Sequence, residues 1–155
     1  MEVVNPSPAG RDLLGDLNEI VVPDYASQGQ RFANYLIDWI ASFALLAGFA
    51  FLTGLLINLD LVGESGEDWF KGPLSYITGS ITAILYYTVT EGCFKGHTLG
   101  KLITGTYAVN NDGQPLTMKK ALLRSLCRLI PFEVFSGLGA APWHDSLTDT
   151  TVVRR

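Results

Sequence analysis

From Trp39 to Leu59 the chain carries no charged side chain, and from Gly72 to Thr90 it carries none again. As α-helices these runs would be about 31 and 28 Å long at 1.5 Å per residue, matching a hydrocarbon core of about 30 Å. The chain has 155 residues, room for one domain. Two buried soluble helices of such length and apolarity do not suit so small a chain. A composition that is 48% hydrophobic would suit a soluble protein, but its distribution does not. The reading is an integral membrane protein.

The net charge of −4 hides a split. Lys95, Lys101, Lys119, Lys120, Arg124 and Arg128 crowd the region after the second run. The link between the runs carries Asp60, Glu64, Glu67 and Asp68 against a single basic residue, Lys71. The positive-inside rule then places both termini and residues 91–128 in the cytoplasm and the 58–72 link outside. The first 30 residues are polar, contain Pro6, Pro8 and Pro23, and lack the basic start and apolar core of a cleaved signal. Insertion is therefore expected to be directed by the first span. Cys93 and Cys127 do not make a disulfide framework.

The expected fold class is an all-α membrane protein with two transmembrane helices, a third interfacial or re-entrant helix, and a small cytoplasmic β-hairpin. Residues 1–25 form a cytoplasmic N-terminal tail, with "EIVVPDY" as an extended piece lying on the domain, and residues 26–155 form the membrane domain. The first helix starts near Gln30 and the second near Pro73, a residue favoured at a first helical position. "LITGTYAVNNDGQPLT" sets β-branched and aromatic residues around Asp112-Gly113, the dipeptide of a tight hairpin. Thr117 can cap the third helix. In that segment Pro131, Glu133, Gly137 and Gly139 interrupt the stretch between Arg128 and His144, which is too short and broken to span.

Arg31 and Asp38 stand at the head of a polar stripe on the first helix, continued by Asn34, Tyr35 and Ser42. Asp38 would lie roughly 10 Å deep if the helix enters lipid near Arg31. An ionised carboxylate is costly there and must be paired, wetted or protonated. Two readings are open: a helix-orienting ion pair, or a ligand, proton or cation site. Ser75, Thr78, Gly79, Thr82 and Tyr86 form a stripe on the second span, read as a close helix contact, with self-association through Ser75, Gly79 and Thr82 expected. His144 and Asp145 are adjacent and have two readings: a polar re-entry point that satisfies the end of the third helix, or groups that meet Arg31 or Arg124 to build a charge network around Asp38. Lys119, Lys120 and Arg128 are candidate contacts for lipid headgroups.

Other chemistry is excluded residue by residue. "GHTLGK" has three residues between Gly96 and Gly100 where a phosphate loop has four, and Leu102 stands where the metal-binding hydroxyl belongs. Cys93, His97, Cys127 and His144 lack paired short spacing for zinc. No nucleophile–base pair is visible, so no catalytic residue is assigned and the chain is read as a non-enzyme. No metal, cofactor or nucleic-acid partner is expected.

"RFANYLIDWI", "HTLGKLITGTYAVNNDGQPLT", "LLRSLCRLIPFEVFSG" and "WHDSLTDTTVV", in this order over residues 26 to 153, resemble the RDD family of small bacterial membrane proteins. Its arginine and two aspartates fall on Arg31, Asp38 and Asp145. The resemblance implies a helical domain of the bacterial inner membrane, with transport of ions or small ligands the usual suggestion. Two features depart from it: the stretch before "WHD" is too short for the extra span of some members, and Asp149 stands where relatives tend to be small or neutral. The expected function is a membrane transport component, with monovalent cation or proton exchange at Asp38 and Arg31, Asp145, His144 and Arg124 around it. The rival is a non-transporting scaffold or accessory subunit that recruits a partner or anionic lipid. Two spans cannot enclose a pathway, so transport would require a homo-oligomer or a partner membrane subunit.

Overall fold

The computed structural model describes residues 24–136 and 142–155. Helix α1, Gln28–Asn58, starts two residues before the expected Gln30 because Ser27 caps it. Ser27 Oγ accepts from Gln30 N at 3.2 Å, and Gln30 Oε1 accepts from Ser27 N at 3.0 Å, a reciprocal capping box. Among the described residues α1 is the one helix long and apolar enough to cross a membrane. A 3₁₀ helix, Glu64–Phe70, follows, and its Phe70 ring packs edge-on against Phe49. Helix α2, Gly72–Cys93, carries Pro73 in its first turn as expected.

The polar stripe of α2 is spent inside the chain. Thr78 donates to Trp69 O at 2.8 Å, and a Cβ on Gly79 would meet Leu46 of α1 at 3.7 Å. At Gly79 the stripe packs α2 on α1. Ser75, Gly79 and Thr82 stay half-buried, with the Ser75 and Thr82 hydroxyls donating to carbonyls of their own helix, Gly72 O and Thr78 O.

Beyond α2 lies a cap of short elements: α3 (Leu99–Thr104), β1 (Thr106–Asn110), α4 (Met118–Cys127), α5 (Glu133–Ser136), α6 (Trp143–Ser146) and β2 (Thr150–Arg154). Thr117 caps α4 as its sequence suggests, accepting from Lys120 N. The expected hairpin does not form. Asp112-Gly113 makes its turn, with Gly113 N donating to Asn110 O at 2.8 Å, but the returning chain contributes only the isolated bridge Val109↔Pro115. Proline has no N–H to continue that ladder, and on its other edge β1 takes the distant β2 as its antiparallel partner, with Ala108 opposite Val152. "LITG", expected in the hairpin, is instead the end of α3. Asp24 and Tyr25 lie on the outer side of β2, where Tyr25 bridges Val153 and Arg154 N donates to Asp24 O. The rest of "EIVVPDY" and of the tail falls outside the described residues.

The cap is built inside out. On α4, Ala121, Arg124 and Ser125 are buried while Leu122, Leu123 and Leu126 are exposed. On α3, Gly100 and Lys101 are buried while Leu99, Leu102 and Ile103 are exposed. On α1 the buried pair is Asn34 and Asp38. In water the preference runs the other way, so these faces suit a lipid surround. A small apolar cluster of Ala26, Ala108, Leu116, Ala121 and Val152 closes the sheet against α4. At about 1.5 Å per residue α4 is roughly 15 Å long, half a hydrocarbon core.

Candidate functional site

Asp38 is 2% exposed and meets no cation among the described residues. Its Oδ1 accepts from Tyr86 Oη at 2.8 Å and from Gly100 N at 2.8 Å. Its Oδ2 accepts from Thr98 Oγ1 at 2.6 Å. The carboxylate thus ties α1 to α2 and to the first turn of α3 through neutral donors. Gly100 permits the approach, since a Cβ there would stand 2.5 Å from Asn34 O. Gly96 holds the preceding turn at φ +86, with its missing Cβ replaced by Ala108 O. The glycines of "GHTLGK" therefore serve close backbone contact.

Arg31 turns away from Asp38. Two helical turns separate them by about 10 Å, and the chain end brings a nearer partner. Arg31 Nη1 reaches Asp145 Oδ2 at 2.5 Å, while its Nε and Nη2 donate to Ala26 O and Val152 O. Arg124 Nη1 stands 2.6 Å from Asp145 Oδ1, close enough for a charge contact but not aligned as a hydrogen bond. The arginine and second aspartate do meet. The expected network around Asp38 forms instead around Asp145 and Glu91.

Glu91 is the residue that sequence reasoning passed over. It is fully buried and takes Lys101 Nζ at 2.8 Å, Arg124 Nε at 2.9 Å and Arg128 Nη2 at 2.6 Å. Arg128 also lies over the Tyr87 ring, 4.1 Å from its centroid. The spacing of Arg124 and Arg128, one turn apart, was a fair signal of a shared face. That face points inward, where Arg124 and Arg128 both meet Glu91. Lys119 is exposed, and Lys120 Nζ donates to Asp149 O at 3.4 Å. Asp149 is exposed at φ +50, a left-handed turn residue leading into β2, a conformation aspartate tolerates.

His144 Nδ1 lies 2.5 Å from Glu133 Oε1. Burial, with Arg128 nearby, pushes the His144 pKa down to about 4, so the ring is neutral at pH 7 and Nδ1–H donates to the carboxylate. Asp145 is held at about 2: burial opposes ionisation, but Arg124 and Arg31 outweigh it. Burial lowers Lys101 to about 8 against the pull of Glu91.

A cavity of about 240 Å³ lies between α1 and the cap, with Ala83 and Tyr87 of α2 in its wall. Arg31, Asp38, Lys101, Arg128, Glu133 and His144 line its polar end. Phe32, Trp39 and Leu129 line it as well and are themselves largely exposed, so the cavity's outer edge is apolar. Of the expected site residues, Arg31, Asp38, Arg128 and His144 reach this cavity, and Asp145 and Arg124 stand behind its wall through their contacts with Arg31 and Glu91.

No curated protein and no solved structure matches the chain. The model of the RDD family matches residues 25–144, ending one residue before Asp145. With most of its length matched, including Arg31 and Asp38, the chain belongs to the RDD family.

Proposed function

We propose that this chain is a membrane transport component that spans twice, keeps both termini in the cytoplasm of a bacterial inner membrane, and holds its ligand in the cavity between α1 and the cap. The cavity carries the reading: ionisable groups from α1, α3 and the segment around α5 and α6 converge on one space with an apolar edge. The second span is α2, whose 22 residues would be about 33 Å long and whose cytoplasmic end meets the basic cap. Monovalent cation or proton exchange at Asp38 would have to break three hydrogen bonds. In this proposal Asp38 is therefore the anchor, and Lys101 and Arg128 meet the ligand. A second copy or a partner subunit completes any pathway, since two helices cannot enclose one.

One observation favours the second reading, a non-transporting scaffold. Glu91, Asp145, Glu133 and Asp38 all find their partners within the chain. Flux of sodium, protons and inorganic phosphate through purified protein in liposomes separates the two. Transport predicts flux above protein-free vesicles that is lost when Ala83→Phe fills the cavity. No flux above background leaves the scaffold.

A further inference from the structure

We infer that the cavity between α1 and the cap seats the headgroup of an anionic membrane lipid, phosphate toward Arg128 and Lys101, with the chains leaving past Phe32, Trp39 and Leu129. This takes the cavity as the binding site, as the proposed function does, and names the class of molecule that enters it.

The carboxylates near the cavity are already engaged. Glu91 lies under three cations, Asp145 between two arginines, Glu133 against His144, and Asp38 under three neutral donors. Near the cavity three buried atoms make no hydrogen bond among the described residues: one acceptor, Asp145 Oδ1, which already lies 2.6 Å from Arg124 Nη1, and two guanidinium donors. Arg128 Nη1 is buried with no hydrogen-bond partner among the described residues, and so is Arg124 Nη2 behind it. A buried unpaired donor costs about 1–3 kcal/mol, and more when charged. An acceptor-rich anion is the complement to a guanidinium with a spare edge, and phosphate matches its fork geometry.

The surroundings decide for a lipid over a free anion. A volume of about 240 Å³ is far more than the roughly 10–15 Å³ that admits one water. Phe32 and Trp39 of α1 and Leu129 after α4 line the cavity and are exposed, and α3 and α4 carry exposed leucines of their own. The opening thus faces the same medium as the apolar side of α1. An aromatic edge beside a basic pocket is what the headgroup level of a bilayer favours.

The test titrates dioleoylphosphatidylglycerol into the full chain in a neutral maltoside detergent, reading melting temperature and retention of lipid by native mass spectrometry. Phosphatidylcholine with the same chains and soluble glycerol phosphate are the comparison arms. One retained phosphatidylglycerol per chain, with a raised melting temperature and neither comparison matching it, is the expected result. Ala83→Phe, or Ser42→Phe if the first fails to fold, should weaken this binding by about tenfold or more. Equal stabilisation by phosphatidylcholine, an equal effect of glycerol phosphate, or undiminished binding in both filled variants would overturn the inference. Lipid bound without flux removes the transport reading alone, and flux without lipid selectivity removes this inference alone.

Discussion

Thr98 Oγ1 donates to Asp38 Oδ2 at 2.6 Å and accepts from Lys101 N at 3.3 Å, so one hydroxyl both caps α3 and holds it to the first helix. The acid on the lip of the apolar run is answered there by neutral donors. The arginine two turns behind it serves another acid.

Gly100→Ala tests the closeness of that junction. The added carbon would stand 2.5 Å from Asn34 O, a backbone atom with no free rotation to give way. We expect a loss of about 2 kcal/mol or more in detergent-unfolding experiments. Because the shift also pulls Gly100 N from Asp38, adding Asp38→Asn should cost less than the sum of the two single changes.

Glu91→Gln removes the charge that faces Lys101, Arg124 and Arg128. Breaking a buried ion cluster at one member costs on the order of 3–5 kcal/mol. Lys101→Met placed on Glu91→Gln should recover part of that loss, whereas Lys71→Met, whose exposed pair with Glu67 lies on the far link, should recover none. Folded yield and melting temperature read both effects.

Acid should destabilise the cap in two stages. The unfolded chain binds a proton at His144 near pH 6.5, while the folded chain refuses it until about 4. Stability therefore falls as pH drops through that window, by about 3 kcal/mol in all. Asp145, held at about 2 against an ordinary 3.8, adds a second loss below about pH 4. Melting temperatures of the parent should decline from pH 6.5 to 4, and His144→Gln should flatten that decline. A parent curve flat over this range contradicts the buried neutral ring.

Helices α1, α2 and α4 and the two charge-free runs were legible because each rests on local signals: Pro73 at a helix start, Thr117 at a cap, uncharged stretches of bilayer length; α3 and the Ser27 cap were not. What stayed hidden was pairing over distance. Asp112-Gly113 announces a turn, but only the fold shows that Pro115 ends the local ladder and that Thr150–Arg154 supplies the partner strand. Glu91 ends an uncharged run and so reads as a boundary; its burial beneath three cations depends on α3 and α4 arriving from later in the chain. Arg31 and Asp145 could be named as candidates for each other, since both fall at polar lips of apolar segments. Asp38's choice of Thr98, Tyr86 and Gly100 could not, because hydroxyls and glycines in apolar helices usually signal packing.

The most direct test of this arrangement is a pair of double-mutant cycles read by equilibrium unfolding in detergent, Asp38→Asn with Thr98→Val and Asp38→Asn with Arg31→Met. Residues sharing a hydrogen bond show coupling of about 0.5–3 kcal/mol, and independent sites add within about 0.5. The account predicts coupling in the Asp38–Thr98 cycle and additivity in the Asp38–Arg31 cycle, with neither altered by exchanging sodium for choline. Strong coupling of Asp38 to Arg31 with none to Thr98 would contradict it.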